Sequence, residues 1–130
     1  MADKKTRYKI PGGVKEEARK GRTLRTMHGY GGGKVTKAIN YRLRVQKDVG
    51  YRTAVKIDTY YRRHEDVDPK GENFDNRKQP SKGLIMWKMM GGNAGHSWSK
   101  RLKKSLDVIQ KAERLNKINR TLEEIHGMVR

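Results

Sequence analysis

The chain has 130 residues, a formal net charge of +18 at pH 7, and only 33% hydrophobic residues. This length favours a single domain. The low hydrophobic content predicts a small core, and we expect part of the chain to be unordered when the protein is alone. The absence of cysteine excludes disulfides and thiolate catalysis. No apolar run reaches the roughly 18 residues of a membrane span or forms a signal-peptide core. We therefore expect a soluble intracellular protein that does not bind a membrane.

The positive charge is concentrated at the two ends of the chain. Residues 1–50 carry 14 basic and 4 acidic groups, residues 51–80 carry 7 and 6, and residues 81–130 carry 11 and 4. A small domain with this charge repels itself, so we expect a polyanionic partner to compensate. Nucleic acid is the commonest such partner, because neutralising its phosphates releases counterions and drives binding without reading the base sequence.

The first two predicted elements are an arm and a helix. Residues 1–13 show neither helical nor strand periodicity and end in Pro-Gly-Gly, which predicts a flexible basic arm that orders only over an acidic partner. Residues 14–28 predict a short amphipathic helix, because apolar or small residues recur at three-to-four spacing. Its basic surface suits a phosphate backbone or ordinary solvent exposure. The predicted buried positions are Val14, Ala18, Gly21, Leu24 and Met27.

A glycine-rich segment, residues 29–33, precedes Lys34 and partly resembles a phosphate-binding loop. The spacing fails, because a Walker loop would need glycine at His28 and a hydroxyl residue at Val35. The segment instead predicts a helix terminator and hinge.

Two further amphipathic helices are predicted over residues 35–49 and 51–64, separated by a turn at Gly50. The arrangement fits a helix-turn-helix, which many unrelated helical proteins share. Tyr60 and Tyr61 are predicted to be core and rim residues rather than base-stacking platforms. If the pair entered a nucleic-acid groove, the exposed contacts would be Arg52, Lys56, Arg62 and Arg63.

Residues 65–80 form an acidic stretch that we interpret as a loop. Its beginning at Asp66 resembles a calcium-binding loop, but Lys70 and Arg77 occupy the fifth and twelfth ligand positions, so calcium binding is not expected. The acidic groups are expected to fold back on the basic helices or to keep acidic partners away from them.

Residues 79–99 are strongly apolar, and the chain must bury them to fold. Ser81 is predicted to cap a helix that is apolar nearly all round and ends at Gly91 and Gly92. Trp87 and Trp98 are predicted to anchor the core from two helices.

No catalytic or metal site is predicted. His96 has no second ligand at a metal-binding interval, and the four histidines do not form part of a nucleophile–base–acid set. We therefore predict no metal, no cofactor and no catalytic residue, and do not expect an enzyme.

The last predicted element is a long amphipathic helix. At 1.5 Å per residue, a helix of about 30 residues reaches about 45 Å, longer than the rest of the domain. Its far half is therefore expected to pack on the other helices, on a copy of itself or on a larger assembly. An alternating three-four seam identifies the partner-facing residues as Leu115, Ile118, Leu122 and Ile125.

Five short motifs in residues 14–101 carry a family resemblance. They are Ala18-Arg19-Lys20-Gly21-x-x-Leu24-Arg25, Tyr30-Gly31-Gly32-Gly33, Tyr60-Tyr61-Arg62-Arg63-His64-Glu65, Pro80-Ser81-Lys82-Gly83-x-Ile85-x-Trp87 and Gly91-Gly92-Asn93-Ala94-Gly95-x-x-Trp98. In this order they resemble a small helical domain of tailed-bacteriophage proteins, some of them associated with phage heads or other structural proteins. The chain departs from that pattern at Asn93, where aspartate is expected, and at Met90. The resemblance implies a phage origin, in host cytoplasm or virion, and supplies no catalytic residues.

The sequence thus predicts an all-α fold: a flexible basic arm (1–13), a compact bundle of short helices (14–101) and a long C-terminal helix (102–130). The favoured function is binding of nucleic acid, DNA rather than RNA, mainly through phosphates. Alternatives are a virion structural or assembly protein that docks on phage proteins or itself through the C-terminal helix, and a ribosomal-type RNA-binding protein. The predicted nucleic-acid contacts are Arg19, Lys20, Arg22, Arg25, Arg42, Arg44, Arg62, Arg63, Lys100, Arg101, Lys103 and Lys104.

Overall fold

The computed structural model describes residues 4–70, 74 and 78–129. Within these residues five α-helices and one two-stranded sheet form the fold, which confirms the predicted all-α bundle with a long C-terminal helix. A 3₁₀ turn spans Asp68–Lys70. The elements are β1 (Tyr8–Lys9), α1 (Gly12–His28), α2 (Lys34–Val45), β2 (Asp48–Val49), α3 (Tyr51–His64), α4 (Lys82–Met89) and α5 (Gly92–Val129).

The centre of the fold is α4, which packs against α1, α2 and α5. Ser81 caps it as predicted, because its Oγ accepts a hydrogen bond of 3.0 Å from the backbone N–H of Leu84. The apolar residues of α4 are buried on several sides, and Trp87 and Trp98 both lie in the core. The prediction that the 79–99 stretch forms the core is therefore confirmed.

Two glycines allow the helices to approach closely. A Cβ on Gly21 of α1 would lie 2.3 Å from the backbone nitrogen of Met89 in α4. A Cβ on Gly95 of α5 would lie 2.5 Å from the hydroxyl of Tyr61 in α3. The buried Asn40 of α2 locks the same region, because its Nδ2 donates to the carbonyls of Ala18 and Met89, each at 2.9 Å.

The N-terminal segment differs from the predicted flexible arm. Tyr8–Lys9 pairs antiparallel with Asp48–Val49, and the side chains of Tyr8 and Ile10 are buried. Arg7 reinforces the pairing through an ion pair of 2.7 Å with Asp48. Lys4 reaches Glu113 of α5 at 2.9 Å. The expectation of no strand was wrong at Tyr8–Lys9, because this pairing joins residues 41 and 39 positions apart and leaves no local periodicity.

The pairing also shortens the predicted helix 35–49, which ends at Val45 so that Asp48–Val49 can form β2. Some apolar positions of the predicted helix faces point to solvent. Met27 is 70% exposed, and Val35 and Val45 are also exposed. These helices are thus only partly covered by the small core.

The C-terminal helix begins earlier than predicted. The expected boundary at 101/102 falls inside α5, a single helix of 38 residues, or about 57 Å. Its first half packs on α3 and α1 and buries Leu106 and Ile109. From 114 to 128 every residue is exposed, so the second half projects from the domain.

Candidate nucleic-acid interface

A basic groove lies between α2 and α3. It consists of two adjoining cavities, of about 350 and 260 Å³, that share Val35, Ile39 and Lys56. We call it the α2–α3 groove. Its lining includes the apolar Val35, Ile39 and Val55. Its basic lining residues are Lys34, Arg42, Arg52, Lys56 and Arg63, and His64 also lines it.

Among the residues that the structure describes, no carboxylate lines the α2–α3 groove. None of its lysines or arginines forms an ion pair with a carboxylate in the described part of the chain. The two acidic residues between 34 and 64 are paired with other cations: Asp48 with Arg7, and the buried Asp58 with Arg62, each at 2.7 Å. The carboxylate of Asp68 lies 3.1 Å from Nδ1 of His64, which lines the groove, but the lysines and arginines of the groove have no such partner among the described residues. Their positive potential is therefore not cancelled by ion pairs.

An exposed aromatic ring lies beside the groove. Tyr41 is 57% exposed and lies one helical turn after Ala38, which lines the groove. The guanidinium of Arg44 sits over this ring at 5.8 Å from its centroid. Arg44 is held there because its Nε donates to the side-chain oxygen of Asn40 at 2.8 Å. An exposed aromatic ring with a cation over one face can stack an unpaired base on its other face.

Some of the predicted nucleic-acid-binding residues of α3 and α1 are free to bind phosphate, and others already form ion pairs within the protein. Arg63 opens into the α2–α3 groove, whereas the neighbouring Arg62 is committed to Asp58. On α1, Lys20 lies 3.6 and 3.7 Å from Glu16 and Glu17, which reduces its availability.

The predicted nucleic-acid-binding residues of α1 do not line the α2–α3 groove. Arg19 and Lys20 line a separate apolar groove between α1 and α4, together with Lys88. Arg22 is exposed, and Arg25 is half-buried with an enclosed Nε that has no protein partner among the described atoms. The α1 surface is therefore a weaker candidate than the α2–α3 groove.

The predicted α5 contacts are all exposed. They are Lys100, Arg101, Lys103 and Lys104. The patch adjoins the end of α3, where Glu65 hydrogen-bonds to Nε2 of His96 at 2.6 Å. That hydrogen bond lowers the pKa of Glu65, with smaller contributions from the positive charges of His96, Lys100 and Lys103.

Sequence reasoning missed Lys34 and Tyr41 and named Arg52 and Lys56 only conditionally. A usable signal was present in α3, because Arg52, Lys56, Thr59 and Arg63 recur at steps of four, three and four and so share one helix face. That this face of α3 lies opposite α2 could not be predicted from the pattern of one helix alone. The buried Tyr60 and Tyr61 confirm their predicted place in the core.

The predicted partner-facing residues of α5 are about half exposed. The exposed fractions are 53% for Leu115, 54% for Ile118, 50% for Leu122 and 48% for Ile125. None of the described side chains covers them, and their spacing places them in one line along the projecting half of the helix.

Two further properties bear on the kind of site. Among the described side chains, no three histidine, aspartate or glutamate residues are grouped so that they could hold a metal ion. Over the ranges 4–70 and 78–129, no helix is both long and apolar enough to cross a bilayer.

Comparison with family models, with curated proteins and with solved structures gives no match to this chain, so the tailed-phage resemblance stays a prediction.

Proposed function

We propose that this protein is a non-enzymatic nucleic-acid-binding protein that contacts phosphates mainly through the α2–α3 groove. The observation that carries the proposal is the lining of that groove, where the described residues include five lysines and arginines and no carboxylate. Neutralising phosphates with such side chains releases counterions and drives binding. The net charge of +18 supports the same partner class.

Tyr41 and Arg44 extend the proposal to unpaired bases. A base adjoining a phosphate in the groove could stack on the exposed ring, since base–aromatic stacking is worth about 1–3 kcal/mol and tolerates any base. We therefore propose binding with little sequence preference. DNA in the host cytoplasm or virion is the favoured target, because the resemblance to tailed-phage proteins points to a phage context.

The test is the salt dependence of binding to a short DNA, as a single strand and as a duplex. The logarithm of the binding constant should fall linearly with the logarithm of salt concentration, with a slope of several units. We would test a triple variant with Arg42→Ala, Arg52→Ala and Lys56→Ala. The magnitude of its slope should be smaller by about three units, one for each lost phosphate contact.

A matched control separates the groove from general attraction. Lys9→Ala, Lys47→Ala, Lys70→Ala removes the same charge from exposed positions outside the groove and should change the slope by less than one unit. Equal effects of the two triple variants would refute the groove as the contact surface. No retention of DNA or RNA at about 0.1 M salt would refute nucleic-acid binding itself.

A second candidate function, docking within a virion, is favoured by the exposed apolar line on α5. In that case Leu115→Asp with Leu122→Asp should abolish assembly and leave nucleic-acid retention intact. Mass spectrometry of purified virions would decide between a structural component and an intracellular factor. Stronger retention of structured RNA than of DNA would instead favour the ribosomal-type alternative.

A further inference from the structure

A second basic surface lies along the outer side of α5. It runs over residues 100–114, about 21 Å of helix, and every lysine and arginine of this segment is exposed. Along that length each strand of a DNA duplex presents about six phosphates. We call this surface the α5 basic stripe. It consists of Lys100, Lys103, Lys104, Lys111 and Arg114.

The positive charge of the α5 basic stripe is largely uncompensated. None of its five cations forms an ion pair with a carboxylate in the described ranges. Asp107 shares this side of the helix, so five positive charges and one negative charge leave a net +4. Glu65 at the end of α3 lies near Lys100 and Lys103, but its carboxylate is hydrogen-bonded to His96 at 2.6 Å. The stripe is therefore a second surface that attracts phosphate.

On α3, the cations of the α2–α3 groove lie on the side away from α5. Tyr51 shares a hydrogen bond with the side chain of Gln110 of α5. Tyr61 donates a hydrogen bond of 2.8 Å to the carbonyl of Gly92, the first residue of α5. These two tyrosines mark the side of α3 that meets α5. At about 100° per residue, the groove cations of α3 lie about 160° around the helix axis from that side. They are Arg52, Lys56 and Arg63.

On α5, the basic stripe lies on the side away from the bundle. Gly95, Leu106 and Ile109 are buried and mark the side of α5 that packs on the other helices. By the same count, the centre of the stripe lies about 165° around the helix axis from them. That centre is formed by Lys100, Lys104 and Lys111. The α2–α3 groove and the α5 basic stripe therefore face away from each other, with α3 and α5 between them.

A single duplex cannot reach both surfaces. The persistence length of duplex DNA is about 50 nm, far more than the size of this domain, so a duplex in the groove does not curl around to the stripe. Two packed helices are about 20 Å thick, about twice the Debye length at 0.1 M salt. Two duplexes on opposite sides of α3 and α5 would therefore repel each other only weakly. A protein bound through its groove still presents the stripe to a second duplex.

We propose that one copy of this protein bridges two segments of duplex DNA, one in the α2–α3 groove and the other along the α5 basic stripe. This inference rests on the proposed nucleic-acid function and adds a bridging activity to it. Both surfaces belong to one chain, so bridging requires no second copy. The stripe includes Asp107, whereas no carboxylate lines the groove among the described residues. The duplex on the stripe should therefore dissociate first as salt is raised.

Capture of DNA on beads tests bridging directly. The beads carry one short duplex, and a second, labelled duplex is supplied in solution, so the label is retained only through protein bound to both. We expect the wild-type protein to retain the label at about 0.05 M salt, and to lose it at lower salt than is needed to remove the protein from the beads. A large excess of protein should also reduce retention, because separate copies then cover each duplex.

A triple variant of the stripe separates bridging from binding. Lys100→Ala, Lys104→Ala, Lys111→Ala leaves the groove intact, so its affinity for one duplex should stay within about threefold of the wild type. It should retain the labelled duplex at least about tenfold less well, because three phosphate contacts of the second surface are lost. The control Lys9→Ala, Lys47→Ala, Lys70→Ala removes the same charge from exposed positions outside both surfaces and should bridge normally. Equal retention by the two triple variants would overturn the proposal.

The remaining outcomes distinguish bridging from the proposed function and from association of the protein with itself. A wild-type chain that does not bind the bead duplex would refute nucleic-acid binding and bridging together. A chain that binds the beads but retains no label would refute bridging alone. Leu115→Gln with Leu122→Gln changes exposed apolar residues without adding charge and should bridge as the wild type does. Loss of bridging in that variant, with circular dichroism showing an intact fold, would overturn bridging by a single copy.

Discussion

Replacement of Trp87 by alanine is the sharpest test of the proposed core. The indole is 3% exposed and lies edge-on to Tyr61, with ring centroids 4.7 Å apart, and to Phe74 at 6.3 Å. Its Nε1 donates to the side-chain oxygen of Asn93 at 2.9 Å. Truncation removes these contacts and leaves a cavity in the core beside α4, the helix on which α1, α2 and α5 all pack.

The expected loss follows from those contacts. Removing a buried tryptophan side chain costs about 3–5 kcal/mol, which includes the cavity term. A domain of this size has a free energy of unfolding of about 5–15 kcal/mol, so Trp87→Ala should unfold a substantial fraction of the protein or make it aggregate. The hydrogen bond alone is worth about 1 kcal/mol, and Asn93→Ala should therefore cost no more than that.

Urea unfolding followed by circular dichroism measures these values. Trp87→Phe keeps an aromatic ring in place and should cost clearly less than Trp87→Ala, while the Asn93→Ala effect should largely disappear in the Trp87→Phe background. A Trp87→Ala loss below about 1.5 kcal/mol with an unchanged dependence on urea would refute the reasoning, because that is the cost of a surface contact rather than a core anchor.

Three further predictions concern packing, pH and binding. Gly21→Ala should lower the thermal midpoint markedly, because the new methyl group would meet the backbone of α4, and overpacking of this kind costs about 1–3 kcal/mol. Since the pKa of Glu65 is lowered below its ordinary 4.5 by the hydrogen bond from His96, its contribution to stability is present above pH 4.5 and is lost as the pH falls below it. Arg63→Ala should lower the salt slope of DNA binding by about one unit, whereas Arg62→Ala should lower it less, because Arg62 is bound to a buried carboxylate.

Each of these has a control. Gly33→Ala introduces the same methyl group where no atom lies within 4 Å, so an equal loss there would contradict the packing argument. Glu65→Gln should remove part of the stability decrease between pH 4.5 and lower pH in urea titrations, and an unchanged decrease would contradict the assigned group. Equal slopes for the two arginine variants would show that the Asp58 ion pair does not restrict Arg62.

Much of the fold could be predicted because its signals are local. The cap at Ser81, the apolar run around Trp87 and the long three-four pattern of α5 each depend on neighbours within a few residues. The pairing of Tyr8–Lys9 with Asp48–Val49 could not be predicted, since two-residue strands carry no periodicity and their partners are far apart in the chain.

The candidate site was less predictable than the fold, for a physical reason. Charge marks a side chain as exposed but does not say which other side chains it meets. Arg62 and Arg63 are equivalent in the sequence, yet one is neutralised by the buried Asp58 and the other opens into the α2–α3 groove. Lys34 joins that groove as the first residue of α2, directly after the glycine-rich segment.

The projecting half of α5 also determines how this protein moves through water. Residues 114–128 extend about 22 Å beyond the bundle as a bare rod, and a rod adds far more friction than its mass would suggest. A monomer should therefore elute early in gel filtration and sediment slowly, and an elution volume calibrated with spheres would overstate its mass. A slowly sedimenting species of monomer mass would distinguish this elongated shape from a second bound chain.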